Sequence, residues 1–200
     1  RGITKGIESN STGAEWTSTD YYSSFDSDGF TIAAGSSGAG NGSAQTAVQW
    51  CWKAGGTGSA NTDGDIASTV SVNTTAGFSI VTWTVPASGS GTVGHGLGAI
   101  PKMIISKSTS DATDWEVHHA SLANTQTIQL NTTTAVGTNN AYNDTDPTSS
   151  VFSVTASGFG ASRTMVSYCF AEIKGYSSIG SYIGNGSSDG TFVYTGLKPA

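Results

Sequence analysis

The chain reads as all-β: antiparallel β-sandwich, jelly-roll-like repeats. Three observations predict this. Short segments alternate apolar and polar side chains at period two. Clusters of Gly, Asn, Asp and Ser punctuate them at short intervals. Thr, Ser, Val and Asn outweigh the good helix formers, and 27 glycines among 200 residues leave few uninterrupted helical windows.

In chain order, the first strong alternation is Ala47-Val48-Gln49-Trp50-Cys51-Trp52-Lys53, which places Val48, Trp50 and Trp52 on one face. Phe78-Ser79-Ile80-Val81-Thr82-Trp83-Thr84-Val85 sets Val81, Trp83 and Val85 opposite Phe78, Ile80 and Thr82. After Pro101, the run Lys102-Met103-Ile104-Ile105-Ser106-Lys107 predicts a buried strand. Residues 111–126 lack Gly and Pro and have room for a helical turn, but the alternation of Trp115, Val117 and His119 favours strand. Thr127-Ile128-Gln129-Leu130, Val151-Phe152-Ser153-Val154 and the stretch from Met165 to Ile173 complete the set. Turn clusters separate them at Ala87–Gly91, Asn139-Asn140, Asp144–Pro147 and Asn185–Gly190, and Gly35 to Gly40 reads as a loop. Short strands at this spacing suit a sandwich.

Parts of the chain repeat. Asn10-Ser11-Thr12-Gly13-Ala14 matches Asn131-Thr132-Thr133-Thr134-Ala135, Gly29-Phe30-Thr31-Ile32 matches Val151-Phe152-Ser153-Val154, and Trp50-Cys51-Trp52 matches Tyr168-Cys169-Phe170. The offsets are 121, 122 and 118 residues, in the same order along the chain. A second match joins Gly91-Thr92-Val93-Gly94-His95-Gly96-Leu97 to Gly190-Thr191-Phe192-Val193-Tyr194-Thr195-Gly196-Leu197 at an offset of 99. The expected organisation follows. Residues 1–55 are the back part of one β repeat. Residues 56–76, opening on the Gly-rich tract 55–64, are a linker or long loop. Residues 77–175 are a complete repeat, and 176–200 are the opening strands of a further one.

Interrupted repeats leave sheet edges that invite another strand. Either the residues belong to a longer polypeptide, or a neighbouring copy supplies the missing strands. The second case is strand complementation in a homo-oligomer or head-to-tail assembly, with Tyr182, Ile183, Phe192 and Tyr194 as the exchanging residues. Cys51 and Cys169 occupy equivalent repeat positions, each facing away from its aromatic neighbours. They read as small buried apolar residues a domain apart, not as a disulfide.

Composition excludes several function classes. Charged residues are 11% of the chain, against roughly 25% in an ordinary domain. The surface must therefore be Ser, Thr, Asn and Gly, as in secreted fibres and capsid parts. The net charge is -6, and eight basic residues spread along the chain make no phosphate-binding stripe, so no nucleic-acid partner is expected. No apolar run suits membrane insertion.

The motifs that repeat resemble a domain of unknown function found in structural proteins of marine bacteriophages. The matching stretches include Gln49-Trp50-Cys51-Trp52-Lys53-Ala54-Gly55-Gly56, Val93-Gly94-His95-Gly96-Leu97-Gly98-Ala99-Ile100-Pro101, His118-His119-Ala120-Ser121-Leu122 and Tyr182-Ile183-Gly184-Asn185-Gly186-Ser187-Ser188-Asp189-Gly190. They cover most of residues 30–200. The resemblance implies a tail fibre or other virion appendage built of lectin-like β-sandwich repeats. It supplies no catalytic or binding residues. In that family the chain runs past a motif like Lys198-Pro199-Ala200 into another strand.

Candidate sites are few. Asp114, Glu116 and His118 share a strand face, which suits a metal or acid–base site or a polar strand face beside a core His119. His95 lies in a Gly-rich string without the Lys-Ser/Thr of a phosphate loop, and its repeat partner is Tyr194; it reads as a ring lining a turn. Asp26/Asp28, Asp63/Asp65 and Asp144/Asp146 are carboxylate pairs that suit calcium or turn capping, and none completes an EF-hand spacing. Trp16, Tyr21, Tyr22, Trp115 and Tyr142 lie near loops, where aromatic rings either stack on sugars or cap the sandwich ends.

No Gly-x-Ser-x-Gly elbow in a strand–turn–helix setting is expected. The expected function is therefore non-enzymatic: a structural protein of a virion appendage, a phage tail fibre or capsid-associated fibre, located in the virion or outside the cell. Its expected partners are its own copies, other virion proteins or a host surface glycan. The alternatives are a carbohydrate-binding adhesion module and a subunit of a non-viral extracellular filament. No cofactor is required, calcium being the one candidate.

Overall fold

The computed structural model describes residues 2–33, 41–44 and 46–197. The expected loop at Gly35 to Gly40 and the Lys198-Pro199-Ala200 motif lie outside them. The regular secondary structure of the described residues is almost entirely β. Four short strands come first: β1 (Lys5–Gly6), β2 (Trp16–Thr17), β3 (Tyr22–Phe25) and β4 (Phe30–Ile32), paired β1 with β2 and β3 with β4. Then come β5 (Ser59–Asn61), β6 (Ser68–Asn73), β7 (Phe78–Thr84), β8 (Ser90–Gly94), β9 (Met103–Ser108), β10 (Glu116–His119), β11 (Gln126–Gln129), β12 (Gly137–Thr138), β13 (Val151–Thr155), α1 (Ala156–Phe159) and β14 (Thr164–Phe170).

Eight strands form one antiparallel sheet in the order β12-β11-β10-β9-β14-β7-β6-β5. Strand β14 is central. It pairs with β7 from Thr164↔Thr84 to Phe170↔Phe78, and with β9 from Met165↔Ser108 to Phe170↔Met103. A second layer, β8 paired with β13 in the register Phe152↔Val93, covers one face of the sheet. The period-two pattern explains why. Val81, Trp83 and Val85, with Met165, Cys169 and Ile104, point inward and meet Val93, Phe152 and Val154 of the second layer. Burying each such side chain contributes about 1.5–3 kcal/mol, and these residues are the core of the sandwich.

Two local devices close that core. Thr155 caps α1, its hydroxyl accepting from Gly158 N at 3.0 Å, and Phe159 on this one-turn helix drops into the core. Gly158 is required there, because a Cβ would overlap the backbone of Ala141. The loop after β12 delivers Tyr142 beneath β9 and β10, its hydroxyl 3.2 Å from Ile104 O and 3.1 Å from Glu116 O.

The fold corrects three expectations. Residues 56–76 are not a linker: β5 and β6 lie there, and β6 pairs with β7 from Ser68↔Trp83 to Asn73↔Phe78. After the Gly-rich tract comes an alternation, Val70 and Val72, that buries Val70 against the core. Residues 47–53 have the expected alternation but form no strand; without a pairing partner, Val48, Trp50 and Trp52 stand 58–80% exposed. Cys51 is accordingly an exposed thiol, whereas Cys169 is buried as expected; both are free. Of the two adjacent histidines, His118 is the buried one and His119 is half-buried. The strands expected at 78–85, 102–107, 127–130, 151–154 and from 165 are all present within a residue or two, as is β10 in the 111–126 stretch.

Candidate functional site

The inward face of β10 carries the most concentrated polar chemistry. Asp114, Glu116 and His118 share it, as the alternation requires. Asn131 Nδ2 donates to Asp114 Oδ1 at 2.8 Å, and Gln129 Nε2 donates to Asp114 Oδ2 at 3.2 Å. Gln129 Nε2 also reaches Glu116 Oε1 at 3.3 Å, and Thr127 Oγ1 donates to Glu116 Oε2 at 3.1 Å. Burial pushes the Glu116 carboxyl above its ordinary range, against the lowering effect of those two donors. Asp114 and Glu116 rim an open depression of about 250 Å³, with Thr113, Phe159, Arg163 and Met165 around it. Arg163 is committed elsewhere, donating from Nη1 to Phe159 O at 2.9 Å. The carboxylate oxygens are thus held by amide and hydroxyl donors from β11 and its following loop. This row binds β10 to its neighbour. Among the described residues, no group of three or more His, Cys, Asp or Glu side chains is placed to hold a metal ion.

The paired aspartates serve turns. Asp26 Oδ2 accepts from Thr31 Oγ1 at 3.0 Å, Asp63 N donates to Asn61 Oδ1 at 3.0 Å, and Asp65 Oδ2 accepts from Thr92 Oγ1 at 2.8 Å. Asp144 takes a left-handed backbone with φ 46°. His95 is fully buried at the end of β8. Its Nδ1 accepts from Leu97 N at 3.2 Å, so Nε2 carries the proton towards Thr148 O, also at 3.2 Å. The ring thereby fixes the turn through Gly96, whose φ is +71°.

Burial lowers the pKa of both His95 and His118, outweighing the raising effects of Asp63 and Asp146 respectively. Each folded ring therefore takes a proton only at a lower pH than an unfolded histidine, which does so near pH 6.5. Below about pH 6.5 the unfolded state binds more protons, so stability falls with pH until each folded ring titrates. Glu116, with its raised pKa, acts in the opposite sense at lower pH. The urea midpoint is expected to be lower at pH 5.5 than at pH 7.5, and His118→Gln is expected to shrink the difference. Equal midpoints for the parent chain at both pH values would contradict this reading.

The five aromatic candidates divide. Trp115 and Tyr142 are buried, which corrects their placement as rings open to a sugar. Trp115 stacks on Tyr168 at 6.4 Å and donates from Nε1 to Glu8 O at 3.0 Å; the segment following β1 covers it. Tyr142 lies against Phe159, Phe152 and His118 inside the sandwich. Trp16, Tyr21 and Tyr22 are half-buried in the first two hairpins. Trp16 and Tyr21 stand 4.5 Å apart, and Tyr22 meets Phe25 and Phe30. The structure does not gather the five residues into one site.

The four residues expected to exchange strands are all exposed. Tyr182, Ile183, Phe192 and Tyr194 lie between 70% and 88% exposed on a segment without strand pairing. Val48, Trp50, Trp52, Phe25 and Tyr176 are further large hydrophobic side chains exposed among the described residues. Their exposure makes the segments 48–52 and 182–194 a candidate contact surface. Sequence reasoning found one half of it, at 182–194, and mistook the other half, at 48–52, for a finished strand.

A family model described as Domain of unknown function (DUF7483) matches residues 1–200, and the chain belongs to that family. No curated protein and no solved structure matches it.

Proposed function

We propose that this member of the family is a non-enzymatic structural protein of a virion appendage, a phage tail fibre or capsid-associated fibre, that works by shape and by repeated non-covalent contact between β modules. The observation that carries this reading is the internal repeat seen against the fold. One complete sandwich is flanked by segments that repeat its strands, and Trp50, Trp52, Tyr182, Phe192 and Tyr194 of these segments are exposed. A charge-poor surface supports it, since Ser, Thr and Asn give solubility that depends little on salt. So does the use of the polar side chains: the Asp114–Glu116 row, the aspartate turns and His95 all spend their hydrogen bonds on the scaffold. Antibodies raised against residues 77–175 are expected to label the appendages of purified virus particles. Label on cell-surface filaments without particles would favour the non-viral filament instead. Antigen confined to the soluble cell fraction would end the structural reading.

A carbohydrate-binding module is the second reading, favoured by the half-exposed Trp16–Tyr21 and Tyr22–Phe25 ring pairs. A glycan array is its test, and Trp16→Ala should abolish any binding that the array detects.

A further inference from the structure

We propose that the depression at the end of the sheet where β7 begins and β14 ends is a binding site for a sugar ring that carries an anionic group, a carboxylate or a sulfate. This goes beyond the structural reading above, and it uses neither of the ring pairs in the first two hairpins.

Separate segments of the chain build the site. Trp52, Lys53, Phe78, Phe170, Tyr176 and Ser177 line a depression of about 290 Å³, close to the lower end for small-molecule sites, about 300 Å³. Its floor is the buried Phe78, whose ring lies 5.0 Å from that of Phe170. Its walls are Trp52, which meets Phe170 edge-on at 6.1 Å, and Tyr176; they are 58% and 65% exposed. Backbone contacts fix both walls. On one side, Asn73 Nδ2 of β6 donates to Lys53 O at 3.1 Å, and Ser71 Oγ donates to Gly56 O at 2.6 Å. Gly55 lies so close to β6 that a Cβ would overlap Val72 O. On the other side, residues 173–177 form a tight turn. Ile173 and Ser177 exchange both backbone hydrogen bonds, at 3.0 and 2.9 Å, around Gly175 with φ +77°. Glu172 Oε1 accepts from Ser178 Oγ at 3.3 Å and from Ile179 N at 3.2 Å, which ties the chain after the turn back to its start.

The chemistry of the lining selects the ligand. Aromatic walls suit the apolar C–H face of a sugar ring, and the Ser177 hydroxyl can both donate to and accept from a sugar hydroxyl. Rings held on a fixed backbone lose little conformational freedom when a ligand enters, which favours binding. The charge favours an anion. Lys53 lines the site, Lys174 lies in the turn that carries Tyr176, and Lys102 N donates to Phe170 O at 2.7 Å. Three of the chain's eight basic residues thus lie on the segments that meet at this end. None of the three forms an ion pair among the described residues. Glu172, the acidic residue beside them, turns its Oε1 to Ser178 and Ile179. In a chain of net charge -6, three unpaired lysines around open aromatic rings are complementary to an anionic sugar.

Saturation-transfer NMR tests the site with the methyl glycosides of glucuronic, galacturonic and mannuronic acid, a sulfated glucose, and methyl glucoside as the neutral counterpart. At least one anionic sugar is expected to bind about two- to fivefold more tightly than methyl glucoside. A preference for a uronide assigns the anion as a carboxylate, and one for the sulfated glucose assigns a sulfate. The preference should shrink as salt rises from about 0.1 M to 1 M. Lys53→Gln should bring the anionic sugar down to the level of methyl glucoside. Trp52→Ala should abolish binding of both while leaving the urea midpoint unchanged, because the ring is largely exposed. Trp16→Ala should leave both bound. Absence of saturation transfer from every anionic sugar would overturn the site, as would equal binding of charged and neutral sugars or binding that survives Trp52→Ala. Loss of binding in Trp16→Ala alone would move the sugar to the first hairpins and overturn this site in favour of that one.

Discussion

Trp83→Ala is expected to destabilise the fold by about 3–5 kcal/mol, the range for removing a buried large aromatic side chain. The ring meets Phe152 at 6.0 Å and Phe159 at 5.5 Å, both edge-on, so it joins the eight-stranded sheet to β13 and to α1 at once. Its indole also starts a buried polar chain. Nε1 donates to Ser167 Oγ at 2.9 Å, Ser167 Oγ lies 2.8 Å from Ser106 Oγ, and Ser106 Oγ lies 3.0 Å from the Tyr142 hydroxyl. Tyr142 has one phenol proton and the carbonyls of Ile104 and Glu116 within 3.2 Å. One direction satisfies every group: Trp83 to Ser167, Ser167 to Ser106, Ser106 to the phenol, and the phenol to a strand carbonyl. Trp83→Phe keeps most of the packing but removes the first donor. It should cost less, about 1–3 kcal/mol, because the buried Ser167 then loses the donor it accepts from and keeps only its bond to Ser106. Urea unfolding with matched m-values measures both. An alanine variant within 1 kcal/mol of the parent chain would mean that Trp83 is not a core residue.

This hydrogen-bonded chain also marks how far the sequence can be read. Trp83 as an inward residue of a strand follows from alternation alone, as do Val81 and Val85. That Ser106 and Ser167 face each other does not, because it depends on β9 and β14 being neighbours, and these are distant in sequence. The same limit explains Tyr142 and Trp115. Each lies beside polar loop residues, and only the packing of a remote segment over them makes them core. Strand β6 was legible in Val70 and Val72, yet the glycines before it suggested a linker. The opposite error occurred at Trp50-Cys51-Trp52, where a strong strand pattern has no neighbour to pair with. Alternation records which residues suit a sheet; it does not record whether the partner strand is supplied by the same unit. The candidate contact surface was therefore half visible, through the repeat, and became whole only when exposure identified both of its edges.

Lys107→Ala is expected to cost about 2–5 kcal/mol, and its effect should begin at the amino-terminal segment. Lys107 lies on β9, opposite Val166, with its side chain fully buried. Its ammonium has three protons, and three carbonyl oxygens receive them: Ser108 O at 2.9 Å, Thr12 O at 3.3 Å and Asp111 O at 3.3 Å. Burial lowers its pKa, the nearby Asp114 working against that and Arg163 with it. Thr12 O also accepts from Thr113 N at 2.9 Å, Glu15 N donates to Thr109 O at 3.1 Å, and Trp115 Nε1 donates to Glu8 O at 3.0 Å. Residues 8–15 are thus fastened to the complete sandwich by backbone groups, with Lys107 as their buried side-chain anchor. Lys107→Met tests the anchor separately from the volume, since it keeps the apolar stem and removes the donors. It should cost about 1–3 kcal/mol. Hydrogen exchange at the amides of Glu15 and Thr113 should accelerate in both variants, while the amides of β7 and β14 keep their protection. If Lys107→Met were as stable as the parent chain, with unchanged exchange at those two amides, the segment would be held by its backbone hydrogen bonds and packing without Lys107 as an anchor. Anchoring of this kind would let residues 8–15 ride on the complete sandwich as a rigid neighbour, as the proposed fibre of stacked sandwiches would require.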